Sequence, residues 1–309
     1  MKIAVMGAGA IGCYFGARLA AAGEEVHFIG RGPHLKAMNE KGLKIVSPHG
    51  DLYLKRVNTA ENPKTVGPVD MVLFCVKLWD TDTAAEQIKP MLRSDTGVYS
   101  FQNGIYAESR LSELLGSEHV IGGYAATPAT VVEPGVVRQF GEWCTLGFGE
   151  LDNKRTARVE AFLAACQRAK IDSHIEDDIE AALWTKFIFI TTHSGATSFC
   201  RSTEGPIRSD SWGRKLLIGL SSEATAVARA KGINIPENNS EHVLEQIDEL
   251  PPDAQGSMYT DLQRGARLEL EWLTGLMVKL GEEVGVPTPS HRAVMMALNL
   301  HAEGNKKDR

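Results

Sequence analysis

The chain opens with MKIAVMGAGAIG (residues 1–12), and this stretch decides the fold of the first half. KIAVM reads as a buried strand, and three glycines follow it in Gly-x-Gly-x-x-Gly spacing before a helical stretch. In that context the spacing predicts a dinucleotide-binding turn, in which the glycines allow a tight turn, close approach of a pyrophosphate and close helix–strand packing. A glycine-rich turn without a ligand is the alternative. The predicted cofactor-binding residues of the turn are Gly7, Gly9, Ala10, Ile11 and Gly12.

Short apolar strands alternate with helical stretches through the first half of the chain. Such strands, buried on both faces, indicate a parallel, doubly wound sheet. Residues 131–150 break this pattern and predict an antiparallel hairpin at the edge of the sheet, with its turn at Pro134-Gly135. The predicted strands are KIAVMGA, EEVHFIGR, VDMVLFCVK, GVYSFQN and HVIGGYAA.

Helical periodicity dominates after about Asp177, which predicts a second, all-helical domain. We therefore expect a dinucleotide-binding domain at 1–177 and a helical substrate and catalytic domain at 178–309. The apolar helices could pack a homodimer as easily as an intrachain core, and the charged tail NKKDR would favour solubility. The predicted helices are 179–190, 213–231, 240–250, 257–284 and 290–301.

Composition and charge exclude several functional classes. The net charge is -6 and no long basic stripe occurs, which argues against nucleic-acid binding. The five cysteines are scattered without a Cys-x-x-Cys pair, which argues for free thiols in a reducing compartment and against a metal site. The first apolar run is too short for a signal peptide, and no run suits a membrane span. We expect a cytoplasmic protein whose partner is a small molecule.

The end of the second predicted strand indicates which cofactor binds. Many NAD sites have an acidic residue there for the ribose 2′-hydroxyl, but this chain has Arg31, nineteen residues after Gly12 (31 − 12). A guanidinium suits a 2′-phosphate, so the sequence predicts NADP(H), with an ordinary surface arginine as the alternative. Lys77 and Asn103 follow two further strands, at the sheet edge where ligands bind, although Asn103-Gly104 is also a common turn.

A lone lysine stands out in the second half. From residue 181 to 200, Lys186 is the only formally charged side chain, and helical spacing places it on a face with Ile190 and His193. Desolvation makes a lysine a better proton donor near neutral pH. On the predicted helix 257–284, Glu269 interrupts an apolar stripe in the same way. The two residues could be functional partners, or a structural ion pair that joins two helices. The apolar members of the stripe are Leu262, Ala266, Leu273, Leu276 and Leu280.

These elements together resemble the ketopantoate reductase (2-dehydropantoate 2-reductase) family over nearly the whole chain. The segments that carry the resemblance are GAGAIG, GRGPHL, a strand ending in VK, QNG, LWTK and LELEWLTG. The resemblance implies a Rossmann domain followed by a helical domain of the 6-phosphogluconate dehydrogenase C-terminal type. It also implies NADPH-dependent reduction of a 2-oxo acid, most simply ketopantoate to pantoate in pantothenate and coenzyme A biosynthesis.

The resemblance also implies roles for individual residues. Lys186 matches the family's catalytic lysine, Glu269 the glutamate that supports catalysis and contacts substrate, and Asn103 the asparagine near the lysine and the nicotinamide. Arg31 and Lys77 match cofactor-binding positions. Ser257 matches a serine that binds the substrate carboxylate.

Four positions depart from the family pattern. Asp80 stands three residues after the VK lysine, where glutamine is common, and three further positions differ from family members that act on ketopantoate. Asparagines are typical at positions 190, 194 and 204, where this chain has Ile190, Ser194 and Glu204. Thr191, His193 and Ser194 are candidate replacements for substrate binding, and a hydrogen-bonded interior histidine is the alternative for His193. The departures leave three hypotheses: a ketopantoate reductase, a reductase of another branched 2-oxo acid, and a non-catalytic NADPH sensor.

Overall fold

Two compact units make up the computed structural model, which describes residues 1–305. The first unit comprises Met1–Gln102 and Tyr106–Ile179, and the second comprises Asn103–Ile105 and Glu180–Arg309. The predicted boundary at 177/178 lies two residues before this division. The loop 103–105 belongs to the second unit, although it follows a strand of the first. Residues 306–309, most of the tail predicted to favour solubility, lie outside the described residues.

The first unit is built on an eight-stranded sheet of order β12-β11-β8-β7-β6-β1-β2-β5. All neighbours pair in parallel except β8 and β11, which are antiparallel. Its strands are β1 (Lys2–Met6), β2 (Glu25–Ile29), β5 (Asn58–Ala60), β6 (Met71–Phe74), β7 (Gly97–Ser100), β8 (Val120–Ala126), β11 (Thr145–Glu150) and β12 (Asp172–Ile175). The predicted doubly wound parallel sheet is confirmed.

Alternation along the central strands explains why the sheet is buried on both faces. Ile3 and Val5 of β1 pack in one apolar cluster, while Ala4 and Met6 pack in the other. Successive side chains of a strand point to opposite faces, so both clusters exist because helices cover both faces. The helices of this unit are α1 (Ala10–Ala21), α2 (Gly32–Lys41), α3 (Thr81–Ile88), α4 (Tyr106–Leu115) and α5 (Ala157–Arg168).

A second, four-stranded sheet corrects the predicted edge hairpin. The turn at Pro134-Gly135 does join antiparallel strands, β9 (Ala129–Glu133) and β10 (Val136–Gln139). They do not lie at the edge of the main sheet, because β10 pairs with β3 (Leu43–Val46), which in turn pairs with β4 (Leu52–Leu54). Only β11, from the end of the same stretch, joins the main sheet.

The described part of the second unit contains helices and no strand. Its helices are α6 (Ile179–Cys200), α7 (Glu204–Ser209), α8 (Ser211–Ala230), α9 (Asn239–Glu249), α10 (Ser257–Gln263), α11 (Leu276–Val284) and α12 (Pro289–Leu298), with a π-helical turn at Glu271–Gly275. The all-helical prediction is confirmed. No helix of the described residues is both long and apolar enough to cross a membrane.

The prediction of one helix over 257–284 is wrong. Helix α10 ends at Gln263, and Gly265 follows with a φ of +66°. This left-handed conformation is typical of a helix C-terminus. The predicted apolar stripe therefore does not exist as a single helical face, and Glu269 lies in the non-helical segment that precedes the π-helical turn.

Candidate active site

The glycine-rich turn between β1 and α1 has the geometry that a dinucleotide requires. Gly7 has a φ of +104°, and a Cβ there would lie 2.7 Å from the backbone of Cys75. A Cβ at Gly12 would lie 2.4 Å from the carbonyl oxygen of Gly7, so strand and helix pack too closely for any side chain. A Cβ at Gly9 would meet nothing within 4 Å. Gly9 therefore faces open space at the helix N-terminus.

The electrostatics of this turn also favour an anion. Gly9 is the N-cap of α1, no side chain caps the helix, and its first turn has no acidic residue. The first amide N–H groups of a helix lack partners within the helix, and here they belong to Ala10, Ile11 and Gly12. Such N–H groups and the helix dipole attract a phosphate. The residues present therefore fit the pyrophosphate of a dinucleotide cofactor.

Arg31 and Asp80 lie together beside the end of β2. Arg31 follows Gly30 directly after the strand and is the N-cap of α2, with 85% of its side chain exposed. Its Nη2 atom lies 3.5 Å from Oδ2 of Asp80, which follows β6. The guanidinium is thus accessible to a 2′-phosphate, but a carboxylate stands beside it.

Lys77 lies three residues beyond β6, at the same edge of the sheet. Its side chain is exposed, and its Nζ lies 5.7 Å from the centre of the Trp79 ring. Gln102 holds this loop in place, because its Nε2 donates to the carbonyl of Val76 at 3.0 Å and to Thr81 Oγ1 at 2.9 Å. The loop that carries Lys77 is therefore fixed at the carboxyl end of the parallel strands.

Lys186 lies in the middle of α6 and is half-buried. The next residue, Phe187, is fully buried. The preceding residue, Thr185, is half-buried, and its hydroxyl group donates a hydrogen bond to the carbonyl of Ala181 at 2.9 Å. Part of the Lys186 residue is therefore removed from water, within a stretch of α6 that is rich in apolar side chains.

Asn103 and Glu269 come together within the second unit. The Asn103 side-chain amide lies 3.5 Å from Glu269 Oε2, and Glu269 is only 5% exposed. Gly104 has a φ of +84°, and a Cβ there would lie 3.3 Å from Leu273 and 3.7 Å from Phe187. The Asn103-Gly104 segment is therefore a turn, and it also brings the Asn103 amide to a buried carboxylate beside the helix of Lys186.

Gly256, which directly precedes Ser257, packs against Ser194. A Cβ at Gly256 would lie 2.2 Å from Ser194 Oγ, and the Gly256 N–H donates to Thr197 Oγ1 at 3.2 Å. Ser194 is buried at 4% exposure, whereas Ser257 is exposed at the start of α10. The loop before α10 thus lies directly on α6, where only a glycine fits.

The sequence did not predict the pairing of His193 with Glu204. His193 Nδ1 lies 3.0 Å from Glu204 Oε2, and Glu204 is fully buried. His193 is therefore a hydrogen-bonded interior residue at that nitrogen. The two residues lie on different helices with a turn between them, so no helical spacing indicated the contact.

The glycine turn on a parallel sheet and the lysine on a helical unit define a two-domain oxidoreductase of the nicotinamide-dinucleotide class. Two family profiles match the chain: "Ketopantoate reductase PanE/ApbA" over residues 3–153, and the C-terminal domain of the same family over residues 178–302. The chain belongs to the ketopantoate reductase family.

Individual relatives match over more than nine-tenths of their length. A curated 2-dehydropantoate 2-reductase of Pyrococcus horikoshii is 31% identical over 94% of this chain and 93% of its own. The crystal structure of a 2-dehydropantoate 2-reductase from Geobacter metallireducens has a TM-score of 0.91 at 30% identity, covering 97% of this chain and 99% of that one. A PanE/ApbA family ketopantoate reductase from Ralstonia eutropha has a TM-score of 0.89 at 32% identity, covering 98% of both chains.

Proposed function

We propose that this chain is a 2-dehydropantoate 2-reductase, which reduces the keto group of ketopantoate to the hydroxyl of pantoate with NADPH. The observation that carries the proposal is a half-buried Lys186, the only formally charged residue of α6 after Glu180. Close to that helix, the Asn103 side-chain amide lies 3.5 Å from the buried carboxylate of Glu269. Membership of the ketopantoate reductase family supports the same activity.

Lys186 would act as the general acid. Bound NADPH supplies a hydride to the carbonyl carbon, and the carbonyl oxygen gains negative charge as the hydride arrives. The Lys186 ammonium stabilises that charge and gives one proton to the oxygen, which completes the alcohol and leaves a neutral amine. A proton from solvent then restores the ammonium.

Glu269 and Asn103 would position the lysine and the substrate. A carboxylate that is 5% exposed needs a cation or several hydrogen-bond donors, and we assign Lys186 as that cation. The Asn103 amide would hold the other side of the carboxylate. Ser257, with Ser194 beneath the same loop, would bind the substrate carboxylate through its hydroxyl group.

The first unit would hold the cofactor. The N–H groups of Ala10, Ile11 and Gly12 would bind the pyrophosphate, Gly7 and Gly9 leaving it room. Arg31 would bind the 2′-phosphate, and Lys77 would add positive charge at the sheet edge. This set of residues favours NADPH over NADH.

A second candidate is a reductase of another branched 2-oxo acid on the same scaffold. It is favoured by Ile190, half-buried on the face of Lys186, and by Glu204, fully buried against His193. Neither position offers the side-chain amide typical of family members that act on ketopantoate.

A substrate panel tests both candidates. NADPH oxidation is followed by absorbance with ketopantoate, 2-oxoisovalerate, 2-oxoisocaproate and phenylpyruvate, and is repeated with NADH. The highest kcat/KM for ketopantoate with NADPH supports the proposal. A higher kcat/KM for one of the other acids assigns the second candidate, and cofactor binding without turnover of any acid refutes both.

We further propose a cytoplasmic enzyme of pantothenate and coenzyme A biosynthesis that forms a homodimer through its helical unit. Several large apolar side chains of that unit are exposed, among them Trp212 at 73%, Met296 at 74% and Leu300 at 92%. Light scattering after gel filtration tests the dimer, and a monomer mass at micromolar concentration refutes it.

A further inference from the structure

Burial of the His193–Glu204 pair in the protein interior costs free energy. Glu204 has no exposed surface, and His193 Nδ1, at 3.0 Å, is the hydrogen-bond partner of its side chain. Its second oxygen, Oε1, is also buried and has no hydrogen-bond partner in the described part of the chain. Replacing a buried ion pair with well-packed apolar residues is often neutral or stabilising, so stability alone does not account for this pair.

The pair fixes the orientation of the imidazole. A carboxylate only accepts hydrogen bonds, so we assign the N–H of His193 to Nδ1, from which it donates a hydrogen bond to Oε2 of Glu204. The ring also stacks on Phe189, with centroids 5.7 Å apart and planes 28° apart. Since 11% of the His193 side chain is exposed and Nδ1 is engaged, Nε2 is the nitrogen left for a ligand.

The same helix face carries Lys186. His193 follows Lys186 by seven residues, which is two turns or about 10 Å along the helix. Phe189 and Ile190 lie between them, and both are half-buried. A ligand along this face would meet an ammonium at one end, an apolar surface in the middle and an imidazole at the other end.

These dimensions match one class of 2-oxo acid. The rise of about 10 Å is comparable to two hydrogen bonds of about 3 Å each plus the three carbons, C2 to C4, that separate a carbonyl oxygen on C2 from an oxygen on C4. We infer that His193, held by Glu204, is the specificity-determining residue that binds an oxygen on C4 of a 2-oxo acid, with apolar C3 substituents against Phe189 and Ile190. The inference rests on the proposed reductase activity and narrows it to 4-hydroxylated, C3-branched 2-oxo acids.

The test compares two substrates that differ only in this oxygen: ketopantoate and 3,3-dimethyl-2-oxobutanoate, which lacks the 4-hydroxyl. The readout is kcat/KM for ketopantoate divided by kcat/KM for 3,3-dimethyl-2-oxobutanoate. This ratio is measured in the wild type, in His193→Phe and in Glu204→Gln. The phenylalanine keeps a ring that can stack on Phe189. In His193→Phe we expect the ratio to fall about tenfold to hundredfold, through a higher KM for ketopantoate alone. Glu204→Gln should lower it severalfold, and His242→Phe, an exposed histidine of α9, should leave it unchanged.

Each outcome supports or overturns the inference. An unchanged ratio in His193→Phe, with ketopantoate still reduced, assigns the pair a purely structural role. If that variant does not fold, an unchanged ratio in Glu204→Gln overturns the inference equally. A wild type that prefers the acid without the hydroxyl overturns it directly. A wild type that reduces neither acid refutes the proposed function itself, which is a different result.

Discussion

Lys186 has two roles in the proposed mechanism, as the proton donor and as the positive charge beside the carbonyl oxygen. Replacing it with alanine removes both. We expect kcat to fall about 10²- to 10⁴-fold, as general-acid contributions usually do. Circular dichroism should remain that of a folded protein, whereas the melting temperature should fall, because the buried Glu269 loses the cation that we assign to it.

The matched control is Lys215→Ala, an exposed lysine of α8 that packs over Trp212. It should retain wild-type kcat and KM. Turnover by Lys186→Ala within about threefold of wild type would refute the assignment of Lys186, since a general acid cannot be dispensable at that level.

Asp80 should limit the preference for NADPH. Its carboxylate lies 3.5 Å from the Arg31 guanidinium and would repel a 2′-phosphate bound there. Asp80→Asn should tighten NADPH binding about two- to fivefold, the range for one exposed charge pair, and leave NADH binding unchanged. Fluorescence titration of both cofactors measures the two dissociation constants.

The control for this variant is Asp82→Asn, in the same region of the first unit. Asp82 pairs with Arg110, whose hydrogen bonds lower the pKa of that carboxyl group. Its replacement should affect both cofactors equally. Equal effects of Asp80→Asn on NADPH and NADH would contradict a role for Arg31 in binding the 2′-phosphate.

The β1–α1 element offers a way to separate folding from cofactor binding. Gly9 has a φ of -89° and open space around its Cβ position, so Gly9→Ala should fold normally. Its methyl group would occupy the space assigned to the pyrophosphate, and we expect NADPH binding to weaken at least about tenfold. Gly12→Ala is the contrasting variant, since its Cβ would clash with the Gly7 carbonyl and reduce stability as well. Normal NADPH affinity in Gly9→Ala would place the cofactor elsewhere.

Helix α12 depends on a carboxylate from α8. Glu223 accepts hydrogen bonds from the N–H groups of Ser290 and His291, at 2.8 and 3.1 Å, and from His291 Nδ1 at 2.9 Å. Burial favours a raised pKa for Glu223, but the hydrogen bonds from His291 and Ser290 outweigh it and lower the pKa. A lowered folded-state pKa means that this stabilisation is present above about pH 4.3, the ordinary glutamate value, and is lost as the pH falls through the folded-state value.

Glu223→Gln should therefore destabilise the protein by about 1–2 kcal/mol at neutral pH. The difference from wild type should shrink as the pH falls through the lowered pKa of Glu223, below which both side chains are neutral. Urea unfolding across this pH range measures the effect, with the exposed Glu282→Gln as the control. A difference in the free energy of unfolding that does not vary with pH would contradict a role for the charged carboxylate.

Helices α10 and α11 show where local sequence patterns mislead. Apolar residues recur at helical spacing from 262 to 280, which predicted one continuous helix. The segment contains Gly265, whose left-handed conformation ends α10, and the Leu268 N–H pairs with the carbonyl of Ala302 instead of a residue four positions earlier. Gly265 could have indicated a helix end from the sequence. The hydrogen-bond partner of Leu268, however, is 34 residues away (302 − 268), and the spacing of apolar residues contains no information about that contact.

Across the whole molecule, features set by neighbouring residues could be predicted and features set by distant contacts could not. The parallel sheet, the glycine turn and the helical second half follow from local patterns, and the structure confirms them. The four-stranded sheet joins residues 43–46 to 136–139, and the His193–Glu204 contact joins two helices across a turn. Both depend on tertiary packing, which the periodicity of apolar residues and the amino-acid composition do not specify.

The central claim is that hydride passes from NADPH to C2 of ketopantoate in this protein. The most direct test incubates the enzyme with ketopantoate and NADPH that carries deuterium at both C4 positions of the nicotinamide, and analyses the product by NMR and mass spectrometry. We predict pantoate with a single deuterium, located at C2. Recovery of unchanged ketopantoate, or of pantoate without deuterium, would contradict the claim.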